Sequence, residues 1–127
     1  MKAKEGVIER LNTILTNELT AINQYFVHAE MCDNWGYERL HDKIRAHSID
    51  EMKHAEEVIE HILYLEGVPN MQRLGDVHVG ETVPEQFKVD LKLEQEAVKV
   101  LTEAITHCTK VGDYTTRHKL EDMVKSE

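Results

Sequence analysis

Apolar residues recur along this chain at alternating steps of three and four, the spacing that gathers them on one side of an α-helix. From about Ala3 to Asn34 the stripe runs through Val7, Leu11, Ile14, Glu18, Ala21, Tyr25, His28 and Cys32. A second apolar stripe, Leu19, Ile22 and Phe26, lies about 100° round the same helix. This helix is therefore expected to bury two faces, one of them against a partner subunit. Trp35-Gly36 makes a turn, since glycine readily closes a helix. A second helix is expected from about Tyr37 to Glu66, with Leu40, Ile44, His47, Glu51, His54, Val58, His61 and Leu65 on its inner seam. Periodicity collapses between Gly67 and Glu81, where Pro69, Asn70, Gly75 and Gly80 fall. Thr82 and Glu85 have the spacing of a capping box. They open a third helix that runs to about Val111 with Phe87, Leu91, Glu94, Val98, Leu101, Ile105 and Cys108 inward. Gly112 stops it, and Asp113 is placed to cap a fourth helix from Tyr114, whose inward positions are Arg117, Leu120, Val124 and Glu127.

The fold class is thus all-α, a four-helix bundle in one domain spanning 1–127. The second helix would be roughly 45 Å long at 1.5 Å per residue, and the irregular stretch after it can reach about 50 Å when extended. That stretch can cross the whole bundle, which sets the third helix parallel to the second.

Each predicted seam is interrupted by one glutamate: Glu18, Glu51, Glu94 and Glu127. His54 stands three residues beyond Glu51, on the same helix face. Glu18 and Glu51 lie nearly equidistant from the Trp35-Gly36 turn, and Glu94 and Glu127 nearly equidistant from Gly112. Both hairpins therefore bring their acids to one level. Inward carboxylates are costly unless paired or metal-bound, and four of them balance two divalent ions. A carboxylate and an imidazole together suit a transition metal.

Composition narrows the function classes. Twenty-four acidic against fifteen basic residues give a net charge of -9, which disfavours nucleic acid and anionic membrane and suits cations. Cys32 and Cys108 form no paired motif and read as free thiols in a reducing compartment, which points to the cytoplasm. No stretch is apolar enough for a membrane span.

The motifs Asn17-Glu18-Leu19, Ala21-Ile22-Asn23-Gln24-Tyr25-Phe26, Asn34-Trp35-Gly36, Ser48-Ile49-Asp50-Glu51-Met52-Lys53-His54-Ala55-Glu56, Leu65-Glu66-Gly67-Val68-Pro69-Asn70 and Asp113-Tyr114 are distributed from the first predicted helix to the fourth. Together they resemble the bacterioferritins, within the ferritin-like di-iron carboxylate proteins. The resemblance implies a ferritin-like bundle with a long crossover between the second and third helices. It also implies iron storage and ferroxidase activity, with ferrous iron oxidised by dioxygen or peroxide at a di-iron centre and stored as ferric mineral. Carried over position by position, Glu18 and Glu94 are the single acids, Glu51 with His54 the first Glu-x-x-His, and Glu127 the acid of the second. The histidine that should follow Glu127 is not in this sequence, nor is the family's short fifth helix. A fourth helix stopping at Glu127 would leave Tyr25, Ala29, Leu40, Ile44, Phe87 and Leu91 without cover, so the sequence is expected to belong to a longer chain.

Tyr25, on the seam of Glu18, is placed to hydrogen-bond a ligand acid or donate an electron; a plain core tyrosine reads as well. Met52 points away from the metal seam, toward Leu19, Ile22 and Phe26. By residue chemistry alone it is a packing methionine; the resemblance makes it the axial ligand of a haem b shared across a two-fold dimer. The resemblance further implies a 24-subunit shell and a ferredoxin partner. One departure stands out. Ala46 occupies the position where many of these proteins carry an inner-surface histidine, although Asp50 remains; the adjacent His47 is expected to point into the bundle. Two other readings remain at this stage, a di-iron peroxidase of rubrerythrin type and a haem-carrying or structural cage subunit with an incomplete metal site.

Overall fold

The computed structural model describes residues 2–126, and it is all-helical. The helices are α1 (Val7–Asn34), α2 (Glu38–Tyr64), α3 (Val83–Val111) and α4 (Tyr114–Ser126). Helix α1 begins four residues later than the periodicity suggests, because Gly6 sits in the left-handed region at φ 77° and interrupts helical propagation. Three helices end in the same hydrogen-bonded turn. After α1, Tyr37 N–H reaches Cys32 O and Gly36 N–H reaches Asp33 O; after α3, Asp113 and Gly112 reach Cys108 and Thr109. After α2 the left-handed position falls on Glu66 at φ 62° rather than on a glycine, and Gly67 N–H closes the turn on Ile62 O. This stops α2 at Tyr64, short of the predicted Glu66.

The Thr82 cap forms as expected, with Glu85 N–H donating to Thr82 Oγ1 at 3.3 Å. The return bond differs: the Glu85 carboxylate accepts from Glu81 N–H, one residue before the cap. Asp113 caps α4 by accepting from Thr116 N–H and from the Thr116 hydroxyl.

Helices α1 and α3 are cross-linked by Tyr25 to Glu94, His28 to Asp90 and Cys32 to Gln86. Numbers rise on one helix as they fall on the other, so the two are antiparallel. Since α2 returns antiparallel from the tight turn after α1, α2 and α3 run the same way, as the crossover length predicted. The crossover lies on α1 along a ladder of polar side chains four residues apart: Asn12, Thr16, Thr20, Gln24 and His28. They bond in turn to Asn70, Arg73, Gly75, His78 and Gly80. Residues four apart advance about 40° round a helix, so the ladder carries the chain obliquely around α1 from the α2 side to the α3 side.

The interior holds two apolar clusters. The larger joins Val7, Leu11, Ile14 and Leu15 to Ala55, Val58, Ile62, Leu101, Cys108, Leu120 and Met123. The smaller, at the opposite end, is Ala21, Tyr25, Ala29, Cys32 and Ile44. Two predicted seams are corrected. On α4 the buried positions are Thr116, Leu120 and Met123, while Arg117 is part-exposed and pairs with Glu121; the bonds of Thr116 to Asp113 and His61 set this rotation. On α3, Phe87, Leu91 and Val98 are exposed, because among the described residues α4 flanks only the C-terminal half of α3. Tyr25, Ala29 and Ile44 stay buried, contrary to the expectation that they lose cover.

Candidate metal centre

Glu18 leaves the larger cluster one turn after Leu15 and precedes Ala21 of the smaller one, so it sits between the two. It is 2 % exposed, and Glu51 on α2 is 7 % exposed. Two acids this deeply buried come from helices that the Trp35-Gly36 turn holds in register. His54, one turn beyond Glu51, directs Nδ1 to within 3.6 Å of Glu51 Oε2 and 3.9 Å of Glu18 Oε2. One donor atom from each of these residues lies within 4.8 Å of the others. Two donors on one ion with bonds of about 2.1 Å stand at most about 4 Å apart, so the two measured separations match donors sharing an ion. Mixed carboxylate and imidazole donors suit iron or another first-row divalent metal. The donor set thus fits the metal that the sequence suggests.

Glu94 approaches from α3, partly buried, and lines the same cleft as Glu51 and His54. Its Oε1 accepts the hydroxyl of Tyr25. Burial, reinforced by this bond and by the charges of Glu94, Asp90 and Glu51, pushes the Tyr25 phenol far above its ordinary value. Tyr25 therefore keeps its proton and remains a donor. Glu127 lies outside the described residues. His47 does not point into a closed core: it is exposed, lines the cleft beside Asp50, and tilts its ring against Tyr25 at 5.8 Å between centroids.

Met52 stands on the outer side of α2, 55 % exposed, and Phe26 on α1 is 53 % exposed. Leu19 and Ile22 are partly buried against the larger cluster, so the second apolar stripe is partly absorbed by the chain's own core.

Gln24, Asp90 and Gln86 carry no signal of a site of their own in the sequence, and His28 reads as a seam position. In the fold Gln24, His28 and Gln86 are buried, and Asp90, partly buried, meets the first two one turn before Glu94. Asp90 Oδ1 accepts from Gln24 Nε2 at 2.8 Å and pairs with His28 Nδ1 at 3.0 Å. The signal available was the polar series at every fourth residue of α1. Among the described residues no helix is long and apolar enough to cross a membrane.

The ferritin-like domain family matches residues 8–127. The chain is 46% identical over 127 residues to the bacterioferritin of Mycobacterium bovis, covering 100% of this chain and 80% of that protein. It is 42% identical to the bacterioferritin of Rhodobacter capsulatus, covering 79% of it, and 40% identical to that of Brucella melitensis, also covering 79%. With its four-helix fold, its long crossover and likenesses that cover all of its own residues, the chain belongs to the bacterioferritins, the iron-storage proteins of the ferritin-like family.

Proposed function

We propose that this chain is a ferroxidase subunit of an iron store, with ferrous iron as substrate and Glu18, Glu51, His54 and Glu94 as its ligands. Glu127 would be a further ligand. The observation that carries this reading is the convergence of two buried glutamates and one imidazole from α1 and α2 on a space the size of one ion. A bound pair of ferrous ions would supply one electron each to dioxygen or peroxide. The carboxylates favour the ferric product, since hard anionic oxygen stabilises the higher charge. Tyr25 holds one oxygen of Glu94 through its hydroxyl, which fixes the carboxylate beside the cleft that Glu51 and His54 line. The apolar clusters above and below the acids lower the local dielectric on those two sides, which strengthens the charge interactions between them.

In this reading the chain assembles into a 24-subunit shell in the cytoplasm, with ferric mineral inside and a ferredoxin returning electrons for release. Met52 and Phe26 are both exposed, and Met52 would be the axial ligand of a haem b shared by two subunits. Replacing Met52 by leucine is expected to remove the haem absorption bands and leave iron oxidation nearly intact; retained bands would assign the haem ligand elsewhere. Replacing Glu18 and Glu51 by alanine is expected to bring aerobic ferrous oxidation down to the rate in buffer, followed by ferric absorbance at two irons per chain. Undiminished rates would sink the site assignment.

A further inference from the structure

The polar set beside Glu94 has a directional logic. Gly80 N–H donates to His28 Nε2 at 2.9 Å, so that nitrogen is an acceptor and the imidazole proton sits on Nδ1, facing Asp90. His78 N–H donates to Gln24 Oε1 at 3.0 Å, which turns the amide nitrogen of Gln24 toward the same carboxylate. Two backbone amides of the crossover thereby orient two side chains of α1, and both donate to a single oxygen, Oδ1 of Asp90. His28 and Gln24 are 0 % and 1 % exposed, so these bonds form away from water, where they are stronger and costlier to lose. Asp90 stands one helical turn before Glu94 on α3, on the same face.

We propose that Asp90 is a positioning residue for Glu94: clamped by Gln24 and His28, it fixes the height of α3 against α1 and so delivers Glu94 to Tyr25 and to the metal site. The crossover is then part of the metal site's support, since its amides set the donors that hold Asp90. The inference rests on the proposed role of Glu94, and it assigns the hydrogen-bonded clamp, rather than apolar packing, as what aligns α3 here. Apolar packing is thin at this level: Phe87 and Leu91 are half-exposed or more, and Asp90 lies between them in sequence. Loss of groups that orient metal ligands typically weakens binding roughly 10- to 100-fold.

The test compares Asp90→Ala with Asp90→Asn, which keeps an oxygen able to accept both bonds. Cobalt(II) titration, read by its visible absorption, reports metal binding without turnover. The expected result is that Asp90→Ala weakens the site served by Glu94 at least tenfold and spares the Glu18, Glu51 and His54 site, while Asp90→Asn restores both. A second readout needs no metal. The ultraviolet resonance Raman doublet of Tyr25, taken as the difference from Tyr25→Phe, reports donation to Glu94; it should change in Asp90→Ala and return in Asp90→Asn. An unchanged doublet in Asp90→Ala overturns the inference, as does equal weakening of both cobalt sites. If the unaltered protein binds no cobalt in this cleft, the ferroxidase reading fails, and the Raman result still decides whether Asp90 governs Glu94. Should Asp90→Ala not fold, Gln24→Met removes one of the two donors at similar volume and must shift the doublet the same way.

Discussion

His61 carries a pH dependence that can be worked out residue by residue. Its Nε2–H donates to the Thr116 hydroxyl at 2.7 Å, and that hydroxyl donates onward to Asp113. Burial, aided by the positive charge of Lys119 and opposed by Asp113, lowers its pKa below the ordinary histidine value. The unfolded chain therefore binds this proton at higher pH than the folded one, and stability falls as pH drops from about 6.5 toward the lower folded value. The thermal unfolding midpoint should accordingly decline between about pH 7.5 and pH 5.5, and His61→Gln should flatten that slope; an unaltered slope would place the titrating group elsewhere. At the same scale, Glu18, Glu51 and His54 were legible in the sequence because they contradict it locally, polar groups on an otherwise apolar stripe. Asp90 was not. It reads as one more charged residue beside Leu91, and only the fold brings it its partners Gln24 and His28 from α1.

At the scale of elements, the crossover is fastened by hydrogen bonds rather than by apolar burial. Val68, Met71, Leu74, Val77 and Val79 are all exposed, and its backbone and polar groups face α1 instead. Its path was only partly readable: length gave the crossing, whereas the route round α1 depends on side chains whose period of four resembles an ordinary solvated helix face. The same limit explains the rotated α4. A short helix with a weak apolar stripe takes its orientation from Asp113 and Thr116 at its own start and from His61, 55 residues away in sequence. Gly80 marks where crossover and α3 meet most closely, since a Cβ there would lie 2.4 Å from Gln86 N. Backbone cannot yield as a flexible side chain can, so Gly80→Ala should cost about 1–3 kcal/mol, seen as a lower denaturant midpoint. It should also loosen the Gln86 Nε2 to Gly80 O bond. A midpoint equal to that of the unaltered protein would show that the junction has slack.

At the scale of the whole molecule, the bundle serves as a rigid frame that holds acids between two apolar clusters. The four-helix fold, the direction of α3 and three of the proposed ligands follow from periodicity and from the position of two turns, which are one-dimensional signals. The net charge of -9 acts at longer range. It should draw ferrous ions toward the protein, and such attraction is screened over about 8 Å at physiological ionic strength. Initial oxidation rates at limiting iron should thus fall as salt rises from about 0.02 to about 0.5 M, while rates at saturating iron stay nearly level; salt-independent rates would argue against steering by the overall charge.

Iron bound where Glu18, Glu51 and His54 converge would be seen by anomalous diffraction from crystals soaked anaerobically in ferrous iron. The expected result is an iron peak at bonding distance, about 2.0–2.2 Å, from carboxylate oxygens of Glu18 and Glu51 and from His54 Nδ1, with a second peak toward Glu94. Iron found only on surface carboxylates, with the space between Glu18, Glu51 and His54 empty, would contradict it.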